Sequence, residues 1–220
     1  MNTIHKRLKR KEMLGVLDRE LSESRWTLTG EAQRKALLDQ LGLTGAKIIL
    51  YGGVDPSEEK LSLLYESMLE VVSLEPKARL LIINGEPTVM KHIRKFREAL
   101  AEELYGYVWH ILGIPSVEST GWYLLADVIV LLSMDEESIR AARNYGVPVV
   151  APRLEAMDEW ILNGRTGWLI SPELLERNLA PTLLDVLQDQ TVARRMGELS
   201  RSYVQMKPST KPKLTRKSSP

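Results

Sequence analysis

The chain has 220 residues with 44% apolar content, enough for one well-formed core. Its 30 basic and 29 acidic residues leave a net charge of +1, which excludes a global field drawing it to nucleic acid. The absence of cysteine excludes disulfides and thiolate zinc sites, and no apolar run approaches the roughly 20 residues that span a bilayer. The N-terminus lacks an apolar stretch behind its basic residues, so it does not read as a signal peptide, and a cytoplasmic protein is expected. His5, His92 and His110 are scattered without metal-ligand spacing, so no metal site is expected.

In chain order, Met1 to about Ser24 is charged and of helical character, with Lys6, Arg7, Lys9, Arg10 and Lys11 near its start. Such a run reads as a solvated surface helix or tail; the alternative is weak contact with anionic lipid at the inner face of the membrane. Glu31 to Leu41 predicts a short amphipathic helix with Ala36, Leu37, Leu38 and Leu41 on its apolar side, stopped by Gly42. A first strand, Ile48 to Tyr51, leads through Gly52-Gly53 to a helix carrying Leu61, Leu64, Tyr65, Met68 and Val72 at helical spacing. Leu80 to Ile83 predicts a second strand and Asn84-Gly85 a turn. A helix striped by Val89, Ile93, Phe96, Leu100 and Leu104 follows, then a third strand from Tyr107 to Leu112 and a loop from Gly113. After a short helix around Ser119 to Leu125, three apolar runs, Val128 to Leu132, Pro148 to Ala151 and Trp168 to Ile170, suit strands buried on both faces. After Pro172, Leu174, Leu175, Leu179, Leu183, Leu184 and Leu187 predict a helix pair or one helix bent near Pro181, and Val192 to Tyr203 a last helix.

Six strands with intervening helices predict a doubly wound, Rossmann-like α/β domain with a parallel sheet. Ligands bind such sheets beyond the carboxyl ends of the strands, where the strand order reverses. The loops to inspect are therefore Gly52 to Asp55, Asn84 to Pro87, Leu112 to Ser116 and Ser133 to Glu137. Organised this way, residues 1–40 form a basic extension with helical segments, 41–206 the domain, and 207–220 a disordered basic tail.

Several segments, in order, resemble the carboxyl-terminal, nucleotide-sugar-binding half of GT-B glycosyltransferases of the group 1, or family 4, class. KIILYGGVDPSEEKLSLLYESM is similar to that family's first strand, phosphate loop and helix, and ARLLIINGEP to its second strand and turn. ADVIVLLS and GVPVVAP are similar to its fourth and fifth strands, EWILNGRTGWLISP to the approach to its sixth, and DQTVARRMGELSRSYV to its closing helix. The resemblance implies a six-stranded sheet and binding of a nucleotide-diphosphate sugar as donor substrate, without a further cofactor. It places the donor near Gly52, Gly53, Lys60, Gly85, Gly113, Glu136, Glu137 and Arg140.

The sequence departs from the family at the donor grip. Where the family has Gly-Arg after its first strand this chain has Gly52-Gly53, and Lys60 takes the place of the family's diphosphate lysine. The segment after the fourth strand is shortened, so that the second of the family's two glutamates falls on Ala141, while Asp135, Glu136 or Glu137 stands for the first. Glu155-Ala156 replaces a double glycine, and Glu159 is retained. Acidic residues at a helix start compete with a phosphate for its positive end; Arg140 and Arg143 either offset this or pair with the acids on a solvated face. Trp109, Trp122, Trp160 and Trp168 read as core or domain-surface aromatics rather than sugar platforms.

The acceptor half of such enzymes precedes the donor half, and too few residues precede Lys47 to form it. Catalysis is thus expected only with an acceptor-domain partner. The alternative is a degenerate, non-catalytic domain that serves as an interaction module; an unrelated nucleotide-binding domain is disfavoured by the absence of G-x-G-x-x-G and P-loop patterns.

Overall fold

The structure, a computed structural model, describes residues 27–52, 57–84, 102–112, 120–154 and 156–206. The elements are α1 (Leu28–Leu41), β1 (Lys47–Tyr51), α2 (Glu58–Leu74), β2 (Ala78–Asn84), a 3-10 turn (Glu102–Leu104), β3 (Val108–Leu112), α3 (Thr120–Leu125), β4 (Val128–Val130) and α4 (Glu136–Tyr145). They continue with β5 (Val149–Pro152), α5 (Met157–Trp160), β6 (Gly167–Ile170), a 3-10 turn (Pro172–Leu174), α6 (Leu175–Gln188) and α7 (Gln190–Met206).

All six strands are parallel, in the order β3-β2-β1-β4-β5-β6. This is the doubly wound α/β architecture expected from the alternation of short apolar runs and helices. Successive side chains of a strand point to opposite faces, so each strand feeds two cores. Ile49 and Tyr51 join Leu61, Leu64 and Met68 of α2 and Leu179 and Leu183 of α6 on one face. Ile48 and Leu50 join Leu37 and Leu38 of α1, Trp122 and Leu124 of α3 and Ile139 and Ala142 of α4 on the other. Sheet residues Ile48 to Tyr51 and Val128 to Val130 are fully buried. Continuous apolar runs are what a sheet covered on both faces requires.

Glycine sets the helix stops where the sequence placed them. Gly42 and Gly146 end α1 and α4 in the left-handed conformation, at φ 70° and 69°, and each donates its N–H back to the last turn. Helix α1 begins earlier than its apolar spacing suggests, at Leu28, because the Thr27 hydroxyl accepts the Gly30 N–H at 3.0 Å. It is clamped to the sheet by Arg34, whose guanidinium meets Asp127 at 2.6 Å and also donates to the Leu125 carbonyl. The same Asp127 oxygen accepts the Ile48 N–H at 2.7 Å, tying the entries of β1 and β4 together. Helix α6 is a single helix with Pro181 inside it. The four tryptophans named above all lie in or against the two cores. The basic cluster from Lys6 to Lys11, the Val89 to Leu100 stripe and the tail from residue 207 fall outside the described residues.

Candidate functional site at the strand-order reversal

The sheet order reverses between β1 and β4, which both neighbour each other and lead to helices on opposite faces. A crevice beyond their carboxyl ends follows from that reversal. Three side chains meet there. Asp135 is the N-cap of α4: extended at φ −144°, ψ 95°, its carboxylate accepts the N–H groups of Glu137 at 3.1 Å and Ser138 at 3.2 Å. The Ser138 hydroxyl donates to the other Asp135 oxygen at 2.6 Å. The Tyr123 hydroxyl donates to Ser138 at 2.8 Å.

These donors run in one direction and end on a carboxylate, a sequence in which each bond polarises the next. All three residues are buried. Burial pushes the Tyr123 hydroxyl up to about 12; the Ser138 hydrogen bond opposes that rise, and the charges of Asp135 and Glu137 add to it. The network closes on β1 as well. Ser138 Oγ lies 3.5 Å from the Gly52 carbonyl, and a Cβ at Gly52 would stand 3.2 Å from the Tyr123 hydroxyl. A residue larger than glycine at position 52 would therefore crowd Tyr123.

Lys60 lies in the first turn of α2, directly after the β1 loop, and is half-buried. Ser57 caps that helix by accepting the Lys60 N–H at 3.4 Å. Glu136 and Glu137 are exposed in the first turn of α4. Arg140 pairs with Glu136 one turn back, at 3.2 Å with both side chains more than half exposed, and lies over the Trp160 ring at 5.3 Å. Gly53, Gly85 and Gly113 lie outside the described residues. No group of histidine, aspartate and glutamate residues suited to a metal ion occurs among the described residues.

Arg143 has a structural task. It is buried, donates to the Trp160 carbonyl, and lies over the rings of Trp160 and Tyr203 at 5.2 and 5.5 Å. Burial lowers its pKa, Tyr203 opposes that and Arg140 adds to it. Ala156, at the position of the family's glycine pair, is the one non-glycine residue with positive φ (68°) among the described residues. A positive φ of this size is one that glycine adopts more readily than alanine. Glu159 is exposed on α5.

Tyr123 and Ser138 were not legible as site residues. The nearest sequence signal is Asp135 directly ahead of Glu136 and Glu137, an N-cap followed by an acidic first turn, which says nothing of Tyr123 or Gly52.

Residues 45–189 match the family model for group 1 glycosyl transferases. The spore coat protein SA of Bacillus subtilis (strain 168) is 22% identical over 202 residues, 89% of this chain and 54% of that protein. The chain thus spans about half the length of this curated relative. Among solved structures, the C-terminal domain of LpcC, a glycosyl transferase group 1 family protein of Francisella tularensis, superposes with a TM-score of 0.66 at 18% identity, covering 81% of this chain and 94% of that one. HepE of Anabaena, in complex with UDP-glucose, superposes with a TM-score of 0.65 at 16% identity, covering 82% and 49%. At these identities the structural likeness is one of fold.

Proposed function

Because the chain belongs to the group 1 glycosyl transferase family, we propose that it binds a nucleotide-diphosphate sugar and acts as the donor half of a glycosyl transfer. The observation that supports this reading is the parallel sheet whose order reverses between β1 and β4, within the matched residues, since sheets of this kind bind ligands beyond the carboxyl ends of the strands at such a reversal. The UDP-glucose complex of HepE supports the class of ligand.

In this reading Lys60, on the first turn of α2, supplies the cation for the diphosphate. Gly52, together with Gly53, Gly85 and Gly113, lets the donor approach the backbone, as glycine permits. Glu136 and Glu137 present carboxylates suited to hydroxyl groups of the donor. Arg140 holds Glu136 in place at 3.2 Å and adds a second cation near the crevice. Transfer needs donor and acceptor held together, so the acceptor side comes from another domain or polypeptide. We place the protein in the cytoplasm.

Calorimetric titration with UDP- and GDP-sugars tests this. Saturable binding that is abolished by Lys60→Ala supports the reading; unchanged binding in that variant overturns the placement of the diphosphate. A second reading, a non-catalytic interaction module, is favoured by the carboxylate of Asp135 seated where a phosphate would meet α4. Absence of binding at millimolar donor supports that second reading.

A further inference from the structure

We propose that Trp160 is a positioning residue for the donor diphosphate: its ring, itself fixed by buried Arg143, orients the Arg140 guanidinium toward the phosphates. The proposal rests on the donor-binding reading above.

Arg140 by itself is a poor anchor. Its long side chain loses rotamer freedom on being held, and an exposed pair one turn apart, such as Arg140 with Glu136 at 3.2 Å, holds it weakly. The second hold on it is the Trp160 ring, whose centroid lies 5.3 Å from the guanidinium carbon. A planar guanidinium over an aromatic face is attracted by the ring, while its N–H groups stay in its own plane in the fork that suits a phosphate. Among the described residues, the side-chain hydrogen bond of Arg140 is from Nη2 to Glu136, which leaves Nε and Nη1 to a ligand.

Trp160 can hold Arg140 only if it is held itself. Arg143 does this. It is 7% exposed, and no carboxylate among the described residues pairs with it. A buried cation needs compensation, and Trp160 supplies it twice. Its backbone carbonyl accepts from Arg143 Nη2, and its ring centroid lies 5.2 Å from the Arg143 guanidinium carbon. Tyr203 of α7 adds a second ring at 5.5 Å, and Trp160 packs against the core on the α4 side of the sheet. Arg140 and Arg143 lie on α4, which follows β4; Trp160 ends α5, which follows the neighbouring strand β5. The contact thus ties together the helices that lead away from the carboxyl ends of two adjacent strands, the side of the sheet where ligands bind.

A double-mutant cycle separates this role from plain packing. UDP, GDP, uridine and guanosine are titrated calorimetrically into the wild-type chain, Trp160→Phe, Trp160→Leu, Arg140→Gln, Arg140→Lys and the double variant Trp160→Leu with Arg140→Gln. Thermal melting checks folding. The proposal expects Trp160→Leu to weaken diphosphate binding about threefold or more, the size of a lost cation–π contact, and to leave nucleoside binding unchanged. Trp160→Phe, which keeps an aromatic face, retains most of the wild-type affinity. In the Arg140→Gln background, Trp160→Leu has no further effect. An equal loss in both backgrounds overturns the proposal, as does the same loss for the nucleoside or no loss at all. Should Trp160→Leu fail to fold, exposed Arg140 carries the test. Arg140→Lys keeps the charge without the planar group, so it should bind diphosphate as weakly as Arg140→Gln; wild-type affinity in Arg140→Lys overturns the proposal. If neither diphosphate binds the wild-type chain, the donor reading falls and the positioning role with it.

Discussion

Gly167→Ala probes the register of β6 against β5. Gly167 opens β6 opposite Val149 of β5. A methyl group there would lie 2.4 Å from the Val149 carbonyl oxygen and 3.0 Å from Ile161 Cγ2. Carbon and oxygen meet comfortably at about 3.3 Å or more, so one backbone must retreat by roughly 1 Å. Neither is free to do so. Leu169 and Ile170 continue the pairing with Ala151 and Pro152, and Arg153 donates to the Ile170 carbonyl at 2.7 Å.

Overpacking of this kind costs about 1–3 kcal/mol, and a backbone oxygen cannot rotate away, which places the cost near the upper end. Loss of glycine's freedom in the unfolded chain returns about 0.4–1 kcal/mol. The net expectation is a loss of about 2 kcal/mol, or a fall in Tm of roughly 4–8 °C for a domain of this size. Denaturant unfolding measures it as a lower midpoint at unchanged slope. A loss below about 0.5 kcal/mol, against that overpacking range, would refute the close approach of β5 and β6 and the register derived from it.

Ala156→Gly should have the opposite sign. Ala156 is exposed and held at φ 68°, a conformation costing an L-residue about 1–2 kcal/mol, against which glycine's unfolded-state entropy takes back part. A gain of about 0.5–1 kcal/mol in chemical unfolding is expected. At high pH, Tyr123 should make stability fall. Its folded pKa of about 12 lies above the ordinary value of 10.0, so between those values the unfolded chain releases a proton that the folded chain keeps. Stability is then lost with rising pH at a slope of about 1.4 kcal/mol per pH unit per group. Tyr65 is raised too, by burial, and contributes in the same direction. Tyr123→Phe should remove one group's share of the alkaline slope, measured by urea unfolding from pH 9 upward; an unchanged slope would place Tyr123 in water.

The strands were legible because a sheet covered on both faces needs unbroken apolar runs, and Ile48 to Tyr51 and Val128 to Val130 carry them. Gly42 and Gly146 marked helix ends for a local reason, the left-handed cap. The start of α1 was less plain, because Thr29 and Gly30 resemble a turn, and only the Thr27 cap shows that Gly30 is already helical. The closure of the crevice was not legible. It joins Gly52, Tyr123 and Ser138, brought together from across 86 residues by the pairing of β1 with β4, and no periodicity encodes such a contact. Arg143 shows the same limit. A cationic residue on a helix reads as solvated until Trp160 and Tyr203, from two other elements, cover it.

The central claim, that this domain holds a nucleotide-sugar at the reversal between β1 and β4, is tested most directly by mapping amide chemical-shift changes as UDP- and GDP-sugars are added. Saturable shifts at Gly52, at Lys60 and from Asp135 to Ser138 are expected, with the entry side of the sheet around Lys47 and Asp127 unmoved. Shifts centred elsewhere, or none with either donor at millimolar concentration, would contradict it.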